Sequence, residues 1–146
     1  MANRQKQKGD AYERELATYL NEKVYNGKQC SRAPLSGGGF IGFGNGGADL
    51  TGTSGLFVEA KRVEKLAWRD ALKQAETNAS TTKTTDIPVV ITRKSREATG
   101  DSVVFLRLDD FNKLYTAWLA SEGYRTIPFE GDQAMADAFE PEDRLR

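Results

Sequence analysis

The chain of 146 residues contains no histidine and a single cysteine, Cys30. The first absence excludes imidazole as base, acid or ligand, and with it Ser-His-Asp and Cys-His hydrolases. Together the two exclude zinc sites built from Cys and His, and one cysteine forms no internal disulfide. An excess of charge of either sign is also lacking. With 21 basic and 21 acidic side chains the formal charge is zero, so attraction to an anionic partner does not follow from the total. The distribution is uneven: residues 1–100 carry 16 basic and 11 acidic side chains, a net +5, and residues 101–146 carry 5 and 10, a net −5. No apolar run approaches the roughly 18 residues needed to span a bilayer, and the amino-terminal MANRQKQKGD is polar. A soluble, cytoplasmic protein with no membrane partner is expected. The length suits one domain, placed at residues 1–121, with residues 122–146 as an acidic extension.

Hydrophobic spacing organises the rest. From Lys8, KGDAYERELATYLNEKV puts Tyr12, Leu16, Tyr19, Leu20 and Val24 on one helical stripe, with Asp10 as its cap and Gly27 as its end. Residues 28–33 suit a short strand before Pro34. GGGFIGFGNGG, residues 37–47, holds 7 of the 14 glycines and reads as a loop. A β-hairpin is expected over 48–52 and 56–62, turning at Thr53, Ser54 and Gly55. A helix over 66–79, strands over 88–92 and 102–108, and a helix over 109–120 capped by Asp109 or Asp110 follow. Phe111, Leu114, Tyr115, Trp118 and Leu119 form the apolar side of that last helix. The order predicts an α/β fold, a mixed central sheet flanked by helices.

Alternation along 56–62 places Leu56, Val58 and Ala60 on one face and Phe57, Glu59 and Lys61 on the other. If the turn centres on residue 54, Asp49 lies across from Glu59, and opposed Cβ atoms stand about 4.5 to 5.5 Å apart. Carboxylates so placed repel, and one takes up a proton unless a cation neutralises them. Mg²⁺ suits the pair, because it is held by one or two carboxylates plus water and substrate phosphate. Lys61 then stands beside the ion, placed to orient a water or to offset charge on phosphate, an arrangement fit for phosphodiester hydrolysis. Glu13 falls inside the apolar stripe of the first helix, and Glu15 on its edge. A carboxylate turned toward the core is costly unless paired or metal-linked, so Glu13 is the stronger site candidate. A salt bridge from Glu13 to Arg32, and a solvated sheet face for Asp49, Glu59 and Lys61, are the plainer readings.

KGDAYEREL on the first helix, CSRAPLSGG after it, ADL at Asp49 and EAK at residues 59–61 together resemble the PD-(D/E)xK nuclease superfamily. Within it the resemblance is to the Holliday junction resolvases of archaea and their viral relatives, and it covers roughly residues 8 to 93. The resemblance implies a restriction-endonuclease-like αβββαβ core and a metal site of Glu13, Asp49, Glu59 and Lys61. By the same resemblance the Ala60 carbonyl is a further metal ligand, the ion is Mg²⁺ with Mn²⁺ able to substitute, and Arg32 contacts phosphate. Ser36 in the CSRAPLSGG motif and Gln74 on the helix after Lys61 are taken as DNA contacts. The implied partner is a four-way junction or other branched DNA, cut by a homodimer. The longer, glycine-rich stretch between Arg32 and Asp49 and the acidic extension depart from archaeal resolvases.

The loop matches G-x-G-x-x-G twice, but a strand follows where a dinucleotide site needs a helix, so that reading is rejected. As a flap, the loop brings Phe40, Ile41 and Phe43 to unstacked bases. Arg93, Lys94 and Arg96 form a basic cluster at a strand end and, with Arg4, Lys6, Lys8, Arg32 and Arg62, a track for phosphates; a solvated loop is the plainer reading. The expected activity is Mg²⁺-dependent DNA endonuclease of resolvase type. A recombination or restriction nuclease on ends or duplex, an inactive branched-DNA-binding protein, and a protein-interaction module using the acidic end are the alternatives.

Overall fold

The computed structural model describes residues 3–34 and 47–124. The glycine-rich loop with Ser36, Phe40 and Phe43, and the acidic extension beyond residue 124, lie outside the described residues. The chain divides into two compact units, Met1–Leu106 and Arg107–Arg146. Each is described by itself.

Helix α1 (Arg4–Leu20) starts earlier than its apolar stripe suggests, because the Asn3 side chain caps it by accepting from the Gln5 amide at 3.0 Å. Asp10 is therefore an interior helical residue and not the cap. The helix runs into a π-helical turn, Asn21–Tyr25, that ends at Asn26 in the left-handed region. One extra residue per turn shifts the register there, and Val24 leaves the stripe for solvent. Asn21 ties this turn to the next segment: its Oδ1 accepts from the amides of Gln29 and Cys30, and its Nδ2 donates to the Cys30 carbonyl at 2.8 Å. Burial pushes the Cys30 thiol up, and the thiol donates to the Ala17 carbonyl, both of which favour the thiol over the thiolate.

Strands β1 (Ser31–Arg32) and β2 (Leu50–Thr51) form a two-stranded antiparallel ladder. β3 (Leu56–Arg62) pairs in parallel with β4 (Ile87–Arg93), which pairs antiparallel with β5 (Val103–Phe105). The result is a mixed α/β arrangement with a three-stranded mixed sheet. α1 covers one face, with Tyr12, Leu16 and Ala17 packed on Val58, Ala60, Val89 and Ile91. α2 (Trp68–Thr81) covers the other, with Ala71, Leu72 and Ala75 on Val90. Leu66 precedes α2 and packs against its base.

The expected hairpin is a correction in detail. Its turn is where the sequence puts it, closed by the Leu56 amide on the Thr53 carbonyl at 2.9 Å. The ladder, however, is reduced to the Asp49 amide on the Val58 carbonyl at 2.8 Å, because β2 pairs with β1 instead. Gly52 accompanies the divergence: at φ +78° it brings the chain so close to the segment leading into β1 that a Cβ there would stand 2.2 Å from the Gln29 carbonyl oxygen.

In the second unit, α3 (Leu108–Ser121) begins after Arg107, with no side-chain cap. Asp109 and Asp110 lie inside the first turn, where they complement the helix dipole. Its apolar side is only partly as expected. Leu119 is buried, whereas Phe111, Leu114, Tyr115 and Trp118 are exposed, the rings stacked on one another at centroid spacings of 5.7 and 6.1 Å.

Replacing Gly52 by Ala combines a strained φ with a backbone collision and is expected to cost about 3 kcal/mol. Gly55→Ala, at φ +85° in open space, should cost about 1 kcal/mol. Urea denaturation of the two variants measures both, and equal costs would contradict the close approach at Gly52.

Candidate metal centre

Two main-chain contacts place the first carboxylate. The Asp49 amide reaches Val58 across the gap between β2 and β3, and the Asp49 side chain reaches back over the same strand, its Oδ2 accepting from the Ala60 amide at 2.7 Å. Asp49 is thereby pinned alongside Val58 and Ala60, with Glu59 between them in sequence. Asp49 is 8% exposed and Glu59 4%. Both acids therefore sit in the sheet's interior, which overturns the reading of a solvated face.

Burial and mutual repulsion decide their charge. Burial first, then the Glu59 charge, pushes the Asp49 carboxyl up to about 7, against the opposing pull of the Ala60 amide. Burial also raises Glu59, although the Lys61 ammonium, 3.0 Å from its Oε1, pulls the other way. Glu13 on α1 adds repulsion to both acids, which places its charge near them. Glu59 Oε2 is enclosed and has no hydrogen-bond partner among the described residues. A buried carboxylate oxygen without a partner is costly in any fold.

Glu13 is 7% exposed, and its Oε2 accepts from Arg32 Nε at 2.6 Å. Arg32 Nη2 also reaches Asp10 Oδ1 at 2.6 Å. The plainer reading of Glu13 thus holds at the level of geometry, and Arg32 spends its fork on two carboxylates of α1. Among the described residues no three His, Cys, Asp or Glu side chains form a ready group for an ion. Asp49 and Glu59 form the pair, and Glu13, bonded to Arg32, adds its charge to both. Ala60 contributes its amide to Asp49. The pair itself fits a hard divalent ion: two oxygen donors are enough for Mg²⁺, which keeps several waters, and the orphaned Glu59 oxygen is the kind of donor such an ion satisfies.

The expected phosphate track is only partly assembled. Lys94 and Arg96 are exposed after β4, as is Gln74 on α2. Arg62 is half-buried, its Nε enclosed without a partner among the described residues. Arg93 is corrected outright: it is buried, and it donates to Glu15. The parity of β4 carries the reason, since Val89, Ile91 and Arg93 point to the α1 face together. The link of Tyr12 to Ser102, and that of Glu15 to Arg93, had no signal in local spacing because their partners are 90 and 78 residues apart.

No protein-family model matches the chain, and neither the curated proteins nor the solved structures contain a match.

The raised Asp49 carboxyl has a consequence for stability. Between pH 4 and 7 the folded chain retains a proton that the unfolded chain releases, so this group's contribution to stability falls as pH rises through that window and levels off above it. Asp49→Asn removes the effect and keeps an acceptor for the Ala60 amide. In the presence of a chelator the variant should gain on wild type from pH 4 to pH 8 by a few kcal/mol at most. Denaturant midpoints at the two pH values check this, and a constant difference would contradict the coupling.

Proposed function

We propose that the chain is a metal-dependent nuclease that hydrolyses phosphodiester bonds in DNA, of the PD-(D/E)xK kind, with branched DNA such as a four-way junction as substrate. The observation that carries the reading is the buried, mutually repelling pair Asp49 and Glu59, in which Glu59 Oε1 meets the Lys61 ammonium at 3.0 Å and Oε2 is enclosed without a partner among the described residues. Two acids that repel in a buried place, next to a cation that only partly offsets them, make a poor structural element and a good ion site. Element order from α1 through β1, β2, β3 and α2 to β4 supports the same reading, because it is the αβββαβ order that the sequence motifs suggest.

Asp49 and Glu59 hold the ion. A bound Mg²⁺ supplies Lewis-acid polarisation of a phosphoryl oxygen and a more acidic water. Lys61 stays on Glu59 until substrate arrives and then orients the attacking water or offsets charge on the phosphate. Glu13, held by Arg32, sets the acidic rim of the site. Lys94 and Arg96 meet phosphates of the flanking duplex by charge alone, so their contribution falls with salt.

Incubation of labelled four-way junctions and linear duplexes of the same sequence, with Mg²⁺ or with a chelator, tests the proposal. Wild type should cut only with Mg²⁺ and the junction in preference, and Glu59→Ala and Lys61→Ala should each lower the rate by about 100-fold or more. Equal cutting of duplex overturns the branched substrate but not the chemistry. Binding without cutting by wild type overturns the chemistry.

A further inference from the structure

Helix α1 carries Glu13, and the roll of the helix about its axis decides where that carboxylate stands. With Tyr12 at 0°, Glu13 lies near 100° and Glu15 near 300°, at about 100° per residue. They flank the Tyr12 line on opposite sides. Each side is gripped by an arginine from a different strand. Arg32 on β1 holds Glu13 and Asp10, both at 2.6 Å. Arg93 at the end of β4 donates from Nη2 to Glu15 Oε2 at 2.5 Å and from Nη1 to the Lys94 carbonyl at 3.0 Å. Its guanidinium carbon stands 5.1 Å from the centroid of the Tyr12 ring. The Tyr12 hydroxyl in turn shares a 2.7 Å hydrogen bond with Ser102, which leads into β5.

Only 6% of the Arg93 side chain is exposed, so it is not offered to a DNA phosphate. Its Nε has no partner among the described residues. A buried guanidinium with an unsatisfied donor is an expensive way to fill space, and an apolar side chain packed on Tyr12 would serve stability as well or better. What the planar fork adds is geometry, since it fixes Glu15, the Tyr12 ring and the strand end at once.

We propose that Arg93 is a positioning residue for the candidate metal centre: with Arg32 on the other side, it sets the roll of α1 and hence the place of Glu13 beside Asp49 and Glu59. The inference rests on the nuclease reading. It makes Arg93 act through Glu13 rather than on substrate.

A double-mutant cycle of Arg93→Lys and Glu13→Gln tests it, reading kcat, KM for labelled DNA, Mn²⁺ affinity by calorimetry, and Tm. Lys keeps the charge and loses the fork. Arg93→Lys should lower kcat by about 10- to 100-fold, as a displaced catalytic geometry does, and weaken Mn²⁺ binding, with KM unchanged. In the Glu13→Gln background the same change should cost less than about 2-fold, because residues acting as a unit are not additive. A rise in KM at constant kcat would make Arg93 a phosphate contact, and additive losses would make its role independent of Glu13. Either overturns the proposal, as does full activity in Arg93→Lys. Should Arg93→Lys fail to fold, Glu15→Gln reads the same coupling from the helix side. Wild type that neither cuts DNA nor binds Mn²⁺ defeats the nuclease reading and this inference together, whereas active wild type with an unaffected variant defeats this inference alone.

Discussion

The attachment of Asp49 to β3 by both its amide and its carboxylate is the constraint on which the rest of the structure turns. The amide bond to Val58 and the side-chain bond to Ala60 straddle Glu59, so two acids are brought together where water is largely excluded. Their proximity is not relieved by the fold. Lys61 offsets part of it, Glu13 adds to it, and one oxygen of Glu59 stays without a partner among the described residues. A chain selected only for stability would place an apolar pair here; the cost points to a use.

Around this centre the scaffold supplies rigidity from several directions. β4 is buried along most of its length and lies between β3 and β5, with α1 on one face of the sheet and α2 on the other. α1 carries the buried acid Glu13, and arginines from β1 and β4 hold the helix on either side of Tyr12. The Asn21 bracket closes the same helix onto the start of β1. β1 then returns Arg32 to Glu13. The connections form a closed loop from α1 through the π-helical turn and β1 back to α1.

Much of this was legible in the sequence where the signal was periodic. The alternation of Leu56, Val58 and Ala60 against Phe57, Glu59 and Lys61 holds, and the turn at residues 53–55 lies where Gly55 and its neighbours place it. Glu13 inside the apolar stripe is buried and bonded to Arg32, the plainer of its two readings, and its part in an ion site belongs to the proposal. Boundaries were less legible: Asn3 as cap and the π-helical turn at Asn21–Tyr25 depend on single hydrogen bonds that leave no trace in hydrophobic spacing. The shortened hairpin leaves no local signal, because the closeness of Gly52 to Gln29 is a tertiary fact. The basic cluster RKSR looks uniform in sequence, whereas the strand's alternation sends Arg93 inward and leaves Lys94 and Arg96 to solvent.

The account's central claim is that Asp49 and Glu59 together hold a divalent cation next to the Lys61 amine. Anomalous scattering from crystals soaked in Mn²⁺ tests it most directly. A peak between the two carboxylates, lost in Glu59→Ala, is the predicted result; carboxylates that stay protonated or turn apart, with no peak between them, would contradict it.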